Sequence, residues 1–183
     1  MTLSSGEVRQ VLAEADQIYT PKEISSALDR LASSITERLE NSNLLVLCVM
    51  NGALIPAGHL LTRLDFPLEL DYVHATRYAG DVRGGELSWR VKPDTELRDR
   101  NVLVVDDILD EGITLARILD YCRTQGARRV YSCVFVEKRV RRQVSLTVDF
   151  VGLEIPNRYV FGFGMDYKGY LRNVEGIYAV KGL

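Results

Sequence analysis

Between Asn101 and Leu115 the chain reads NVLVVDDILDEGITL, and this stretch constrains the fold more than any other. It opens on Val102-Leu103-Val104-Val105, an apolar and largely β-branched run of the kind that forms a strand buried on both faces. Asp106 and Asp107 stand where that strand is expected to stop. Behind Ile108 and Leu109 come Asp110, Glu111, Gly112, Ile113 and Thr114. Then Leu115, Ile118, Leu119 and Cys122 follow at helical spacing, closed by Gly126. Strand, acidic pair, tight loop and helix make one half of a βαβ unit. Open α/β sheets bind their ligands at the carboxyl ends of the strands. A helix N-terminus suits a phosphate, and carboxylates beside it suit a sugar diol or a hydrated cation. The stretch therefore predicts a site for a ribose 5-phosphate. An acidic strand end can also mark nothing more than a turn and a helix N-cap. Three carboxylates within five residues, directly behind a wholly apolar strand, favour the functional reading.

The rest of the chain supplies a frame for that unit. Ser4-Ser5-Gly6-Glu7 and Thr20-Pro21-Lys22-Glu23 read as capping boxes, the second with proline at the first helical position. The first opens a helix carrying Val8, Val11, Leu12, Ala15 and Ile18. The second opens one whose apolar face is Ile24, Leu28, Leu31, Ile35 and Leu39. Leu44 to Met50 is a continuous apolar strand broken by Asn51-Gly52, and Ala53 to Leu64 reads as a helix despite Pro56. Leu68 to Thr76 alternates as a strand, and Val130 to Val136, Val148 to Leu153 and Tyr159 to Phe163 are further apolar runs. His74 and His59 have no acidic or cysteine partner nearby in sequence and read as structural residues. Arg77 to Pro93 is polar and glycine-bearing, which predicts a lid, with a short ribbon over Glu86 to Val91. The alternation predicts an α/β fold in which helices flank a mostly parallel sheet, all of residues 1–183 forming a single domain.

Composition narrows the function classes. A net charge of −2 gives no general attraction to nucleic acid or to an anionic membrane. No apolar run approaches the ~20 residues that cross a bilayer, and MTLSSGEVRQ lacks the regions of a signal peptide. Cys48, Cys122 and Cys133 each lie in an apolar segment, which predicts buried free thiols and a cytoplasmic protein.

The central stretch resembles the phosphoribosyl pyrophosphate (PRPP) signature of the type I phosphoribosyltransferases. The later segment DFVGLEIPNRYVFGFGMDYKGYLRN resembles the tail of their purine-salvage, hypoxanthine-guanine branch, with matching segments from Leu44 to Arg172. The resemblance implies that fold, with a hood formed by the N-terminal segment and about residues 153–183, and a lid over about 77–93. It implies that Asp106 and Asp107 hold the ribose hydroxyls and that Asp110, Glu111, Gly112, Ile113 and Thr114 wrap the 5-phosphate. The pattern departs at Glu111 and Ile113, where relatives often carry Thr and Lys, and Glu111 is expected to point to solvent. Asn51 and Gly52 match the pyrophosphate loop, whose cis peptide is expected between Met50 and Asn51, and Arg172 matches an arginine facing the same group. Of the lid's Ser-Tyr opening, Tyr78 carries over while Arg77 replaces the serine. Lys138 matches the donor to a purine 6-oxo group, Tyr159 the aromatic that stacks on the base, and Val160 and Met165 its neighbours at the purine. Asp110 matches the candidate general base. Magnesium is implied as cofactor, on Asp106, Asp107 and Asp166.

The reaction so implied moves ribose 5-phosphate from PRPP to N9 of hypoxanthine or guanine, releasing pyrophosphate, in a homodimer or homotetramer. Two alternatives stand beside it: a xanthine-preferring enzyme, and a regulator that keeps the fold but binds nucleic acid. The second calls for a basic face, and Arg139, Arg141 and Arg142 are read instead as a solvated turn or a subunit contact. A third, the receiver domain that also opens on VLVVDD, is disfavoured because too little chain follows Asp106.

Overall fold

The apolar run at residues 102–105 forms a strand, and it runs further than expected, because its neighbour keeps pairing with it. The structure is a computed structural model describing residues 3–77, 87–142 and 144–183. Strand β5 (Asn101–Leu109) lies parallel to β6 (Arg129–Lys138), and the ladder continues past the acidic pair through Ile108↔Val136 and Leu109↔Glu137. On its other side β5 pairs in parallel with β2 (Leu44–Val49). Every residue of β2, and Val102 to Asp106 of β5, is buried, as expected of strands covered on both faces.

Three more strands complete the sheet: β3 (Leu68–Arg77), β4 (Leu87–Val91) and β7 (Phe150–Ile155). The order is β4-β3-β2-β5-β6-β7, parallel throughout except for the antiparallel β3–β4 pair. Helix α2 (Pro21–Leu39) buries Ile24, Leu28, Leu31, Ile35 and Leu39, and packs on β7 and on α3 (Leu54–Leu61). Helix α4 (Ile113–Thr124) lies on β3, β5 and β6 and buries Leu115, Ile118, Leu119 and Cys122. Ile118 is 0% exposed, so cutting it to alanine would cost about 2–5 kcal/mol.

The chain leaves β2 toward β3 on one side and leaves β5 toward β6 on the other. A topological switch point therefore opens between β2 and β5. A second, small antiparallel sheet is formed by β1 (Asp16–Tyr19), β9 (Ile177–Ala179) and β8 (Val160–Phe161), in the order β1-β9-β8. It joins the N-terminal segment to the last part of the chain, and an ion pair of Arg158 with Asp16, at 2.7 Å, ties them further.

Several boundaries differ from the sequence reading. Helix α1 (Ser5–Glu14), capped by Ser4 and Glu7, ends before Ile18. Ile18 belongs to β1, because pairing with β9 overrides a helical spacing that only continues locally. The helix expected over Ala53 to Leu64 is the shorter α3. The run from Tyr159 to Phe163 keeps only two residues of strand, since Gly162, Phe163 and Gly164 take φ values of 95°, 48° and 103° and turn the chain. The expected ribbon corresponds to β4, while Tyr78 and most of the expected lid, residues 78–86, lie outside the described residues. All three cysteines are free and buried. Among the described residues no helix is long and apolar enough to cross a membrane.

Candidate active site

At the carboxyl ends of β2 and β5 the backbone opens a cleft of about 480 Å³. Asn51 and Gly52 line it from the turn after β2, and the Met50–Asn51 peptide is cis, as the resemblance implies. A side chain on Gly52 would fall on the carboxylate of Asp107, and one on Gly164 would fall on the carbonyl of Gly52. Three segments thus meet at this turn with no room for a Cβ, which is why glycines stand there.

Asp106 and Asp107 project from the last part of β5. Asp106 is 8% exposed, and its Oδ1 accepts from the Asp107 N–H at 2.9 Å. Burial first, and then the charge of Asp107, push the Asp106 carboxyl well above the usual carboxylate range. Burial raises Asp107 as well, offset in part by its contact with Asp106 and by Arg172, whose Nη1 lies 3.8 Å from Oδ2. Arg172 also holds Asp166, with Nη2 2.5 Å from Oδ1, and donates to the Gly164 carbonyl at 2.6 Å. The second oxygen of Asp166 accepts from the Gly169 N–H at 2.7 Å.

The loop after β5 enters α4 at Gly112, whose left-handed φ of 79° a residue with a side chain would resist. Gly112 and Thr114 line the cleft, as does Glu111, which is exposed; Ile113 starts the helix and is half-buried. Behind them the Lys138 Nζ donates to the Asp110 Oδ2 at 2.7 Å, joining the ends of β6 and β5. The lysine side chain is 12% exposed and the aspartate 48%, so the pair's open side is the carboxylate. Tyr159 is 40% exposed beside β8, edge-on to Tyr167 at 5.7 Å. Val160 is buried in β8, and Met165 is 3% exposed within the core, its carbonyl accepting from the Gly162 N–H.

The structure therefore brings Asn51, Gly52, Asp106, Asp107, Asp110, Glu111, Gly112 and Thr114 to one cleft with Asp166 and Arg172, while Ile113 does not line it. Lys138 is joined to it through Asp110, while Tyr159, Val160 and Met165 do not line this cleft. Two residues of the cleft, and one beside it, were missed by sequence reasoning. His74, read as structural, and Arg90, inside the expected lid, both line the cleft, and neither sits in a motif that could have marked it. Arg142, read as part of a solvated turn or a subunit contact, is largely buried within the chain itself, with a side chain 14% exposed.

Buried carboxylates on a strand end, a helix N-terminus and a glycine turn, all at a switch point, define an α/β protein that handles a phosphorylated sugar. The chain belongs to the phosphoribosyl transferase family, whose domain model matches residues 14–168. Among its relatives is a hypoxanthine-guanine-xanthine phosphoribosyltransferase of Tritrichomonas foetus, 31% identical over 165 residues that cover 90% of each chain. A hypoxanthine-guanine phosphoribosyltransferase of Bacillus subtilis is 28% identical over 165 residues, covering 90% of this chain and 92% of that protein. A crystal structure of a hypoxanthine-guanine phosphoribosyltransferase from Bacillus anthracis superposes with a TM-score of 0.86 at 26% identity, covering 90% of this chain and 98% of that one.

Proposed function

We propose that the chain transfers ribose 5-phosphate from PRPP to N9 of a 6-oxopurine, hypoxanthine or guanine, with release of pyrophosphate in purine salvage. The observation that carries this reading is the Lys138–Asp110 pair, set beside the acidic pair and the phosphate loop. Lys138 donates and cannot accept, so it suits a 6-oxo acceptor and leaves the 6-amino group of adenine without a partner. Its ammonium has three N–H groups, and can serve a base while still holding Asp110. Asp110, more open to the cleft, takes or shares the proton near N7 as the base becomes a nucleophile. Tyr159 offers its exposed ring to the base, and the Val160 and Met165 backbones border its edge.

On the sugar side, Asp106 and Asp107 accept from the ribose hydroxyls, and the backbone from Glu111 to Thr114 and the start of α4 receive the 5-phosphate. Asn51, Gly52 and Arg172 receive the pyrophosphate, with Arg172 exchanging part of its contact with Asp166. Among the described residues, no group of three or more His, Cys, Asp and Glu side chains forms a ready metal site. Two adjacent carboxylates, both raised by burial and Asp106 further by the charge of Asp107, nevertheless fit a hard hydrated cation, which typically takes one or two carboxylates plus substrate phosphates. Asp106, Asp107 and Asp166 are the residues that would hold magnesium, which would when bound draw off charge developing on the leaving pyrophosphate.

The test is a panel of hypoxanthine, guanine, xanthine and adenine with PRPP and magnesium, following nucleotide formation. We expect turnover of hypoxanthine and guanine, with adenine at least ~10³-fold worse in kcat/KM, because a mismatch strands a buried donor. Equal use of adenine would remove Lys138 from reading position 6. Xanthine is included because the Tritrichomonas foetus relative carries that base in its name. The same reading places the protein in the cytoplasm, in keeping with its buried free thiols. It also makes the protein a homo-oligomer, supported by Leu70 and Tyr72, alternate residues of β3 that are 53% and 43% exposed on one face.

A further inference from the structure

The ladder between β5 and β6 makes its last pair at Leu109↔Glu137. One residue further along each strand stand Asp110 and Lys138, whose side chains must meet and whose backbones no longer pair with each other. Arg142 occupies this gap. Its Nε donates to the Asp110 carbonyl at 2.7 Å, and its Nη2 to the Lys138 carbonyl at 2.5 Å and the Leu109 carbonyl at 3.3 Å. Its Nη1 donates to the Glu137 carboxylate at 2.7 Å. The stem lies under the phosphate loop, with Cδ 3.9 Å from where a Cβ on Gly112 would stand.

We propose that Arg142 is a positioning residue for base recognition: its guanidinium continues the β5–β6 pairing where the backbone cannot, and so holds Lys138 against Asp110. This rests on the reading of Lys138 as the group that recognises a 6-oxopurine. Three features of the geometry support it. A guanidinium is planar and presents five N–H donors in a rigid fork, so it can bridge carbonyls from two strands at once. The arginine side chain is 14% exposed, so water competes weakly for those carbonyls. Glu137 neutralises the cation in place, which assigns it to the scaffold and not to a substrate phosphate. Lysine cannot substitute, because one nitrogen on a flexible stem cannot bridge the same three carbonyls.

The experiment uses the full chain with magnesium and compares wild type, R142K and R142M. It reads kcat/KM for hypoxanthine and adenine, the affinity for PRPP measured without base, and the melting temperature. A displaced pair should act on the base side of the reaction, since misplacement by an ångström is enough to lose much of an oriented site's rate. R142M should lower kcat/KM for hypoxanthine at least about 10-fold and narrow the preference over adenine, while PRPP affinity stays within about 3-fold. R142K should fall between the two. A merely structural arginine would lower stability and both substrates' parameters together, and would leave the hypoxanthine-to-adenine ratio unmoved; that result overturns the proposal. If R142M does not fold, R142K keeps stem and charge and carries the same test through the ratio. Absence of turnover in the wild type with any base would sink the functional reading instead, which separates the two failures.

Discussion

Asp106, on β5, and Asp110, just beyond its end, show how differently two nearby carboxylates can be used. Asp110 is 48% exposed and paired with Lys138, open to a ligand. Asp110→Asn keeps shape and a hydrogen-bond acceptor but cannot take a proton. It should lower kcat by roughly 10²-fold or more while leaving PRPP affinity within a few-fold, as steady-state and binding measurements can show. An unchanged kcat would remove Asp110 from proton transfer. Asp106 is buried against Asp107, and its carboxyl is raised above its ordinary value of 3.8. A group whose folded pKa is raised favours the folded state fully below its unfolded pKa, and that contribution is lost as pH rises through the folded pKa. Above the ordinary carboxylate range the buried, metal-free pair therefore opposes folding. Asp106→Asn should raise the melting temperature of the metal-free protein by about 2–4 °C near neutral pH, for ~1 kcal/mol regained. That gain should vanish as pH falls toward the ordinary carboxylate range, and a variant no more stable than wild type at neutral pH would contradict this. At this scale the acids were legible, because charges directly behind an apolar strand lack a structural motive. Arg142 was not, since an arginine among arginines carries no sign of which one turns inward. Only the end of the β5–β6 ladder selects it.

Among the elements, the start and buried face of α2 and the buried face of α4 were legible in the sequence. The capping box of α2, the glycine that closes α4 and the apolar spacing of both are local signals. The misses came where distant strands decide: Ile18 is drawn into β1 by β9, and β5 is prolonged by β6. The turn between β2 and α3 was recognised from Asn51-Gly52, but not why it must be glycine. The reason is the Asp107 carboxylate, packed where a Cβ would be. Gly52→Ala should therefore displace Asp107 and lower kcat/KM by about 10²-fold or more. Gly58, in the middle of α3, has nothing within 4 Å of the place a Cβ would take, and Gly58→Ala should keep activity and stabilise by roughly 0.5–1 kcal/mol. Parallel kinetics and melting curves on both variants check this, and equal losses would show that the crowding at Gly52 has no special bearing on activity.

For the molecule as a whole, helix–strand alternation was enough to name a mostly parallel sheet, but not the order of its strands. That order, β4-β3-β2-β5-β6-β7, is what opens the crevice between β2 and β5 and brings residues so distant in sequence as Asn51 and Arg172 to one cleft. Nor could the sequence show that alternate residues of β3 leave Leu70 and Tyr72 uncovered. If that face joins subunits, the double variant Leu70→Lys with Tyr72→Lys should shift the mass measured by light scattering toward the monomer. Its melting temperature extrapolated to low concentration should change little, since surface changes are usually within ~0.5 kcal/mol each. An unchanged mass would place any subunit contact elsewhere.

The three thiols give the fold a built-in clock. Cys48 on β2 and Cys133 on β6 flank Val105 from either side, and Cys122 lies in α4 above the same sheet. Burial pushes the Cys48 and Cys122 thiols up to about 12, and raises Cys133 as well, so thiolate is scarce and reagent cannot reach it while the sheet is closed. Each alkylation event must therefore wait for its own element to open. Followed residue by residue, labelling would time how often the strands bearing the acid pair come apart, and how far a bound ligand slows that opening.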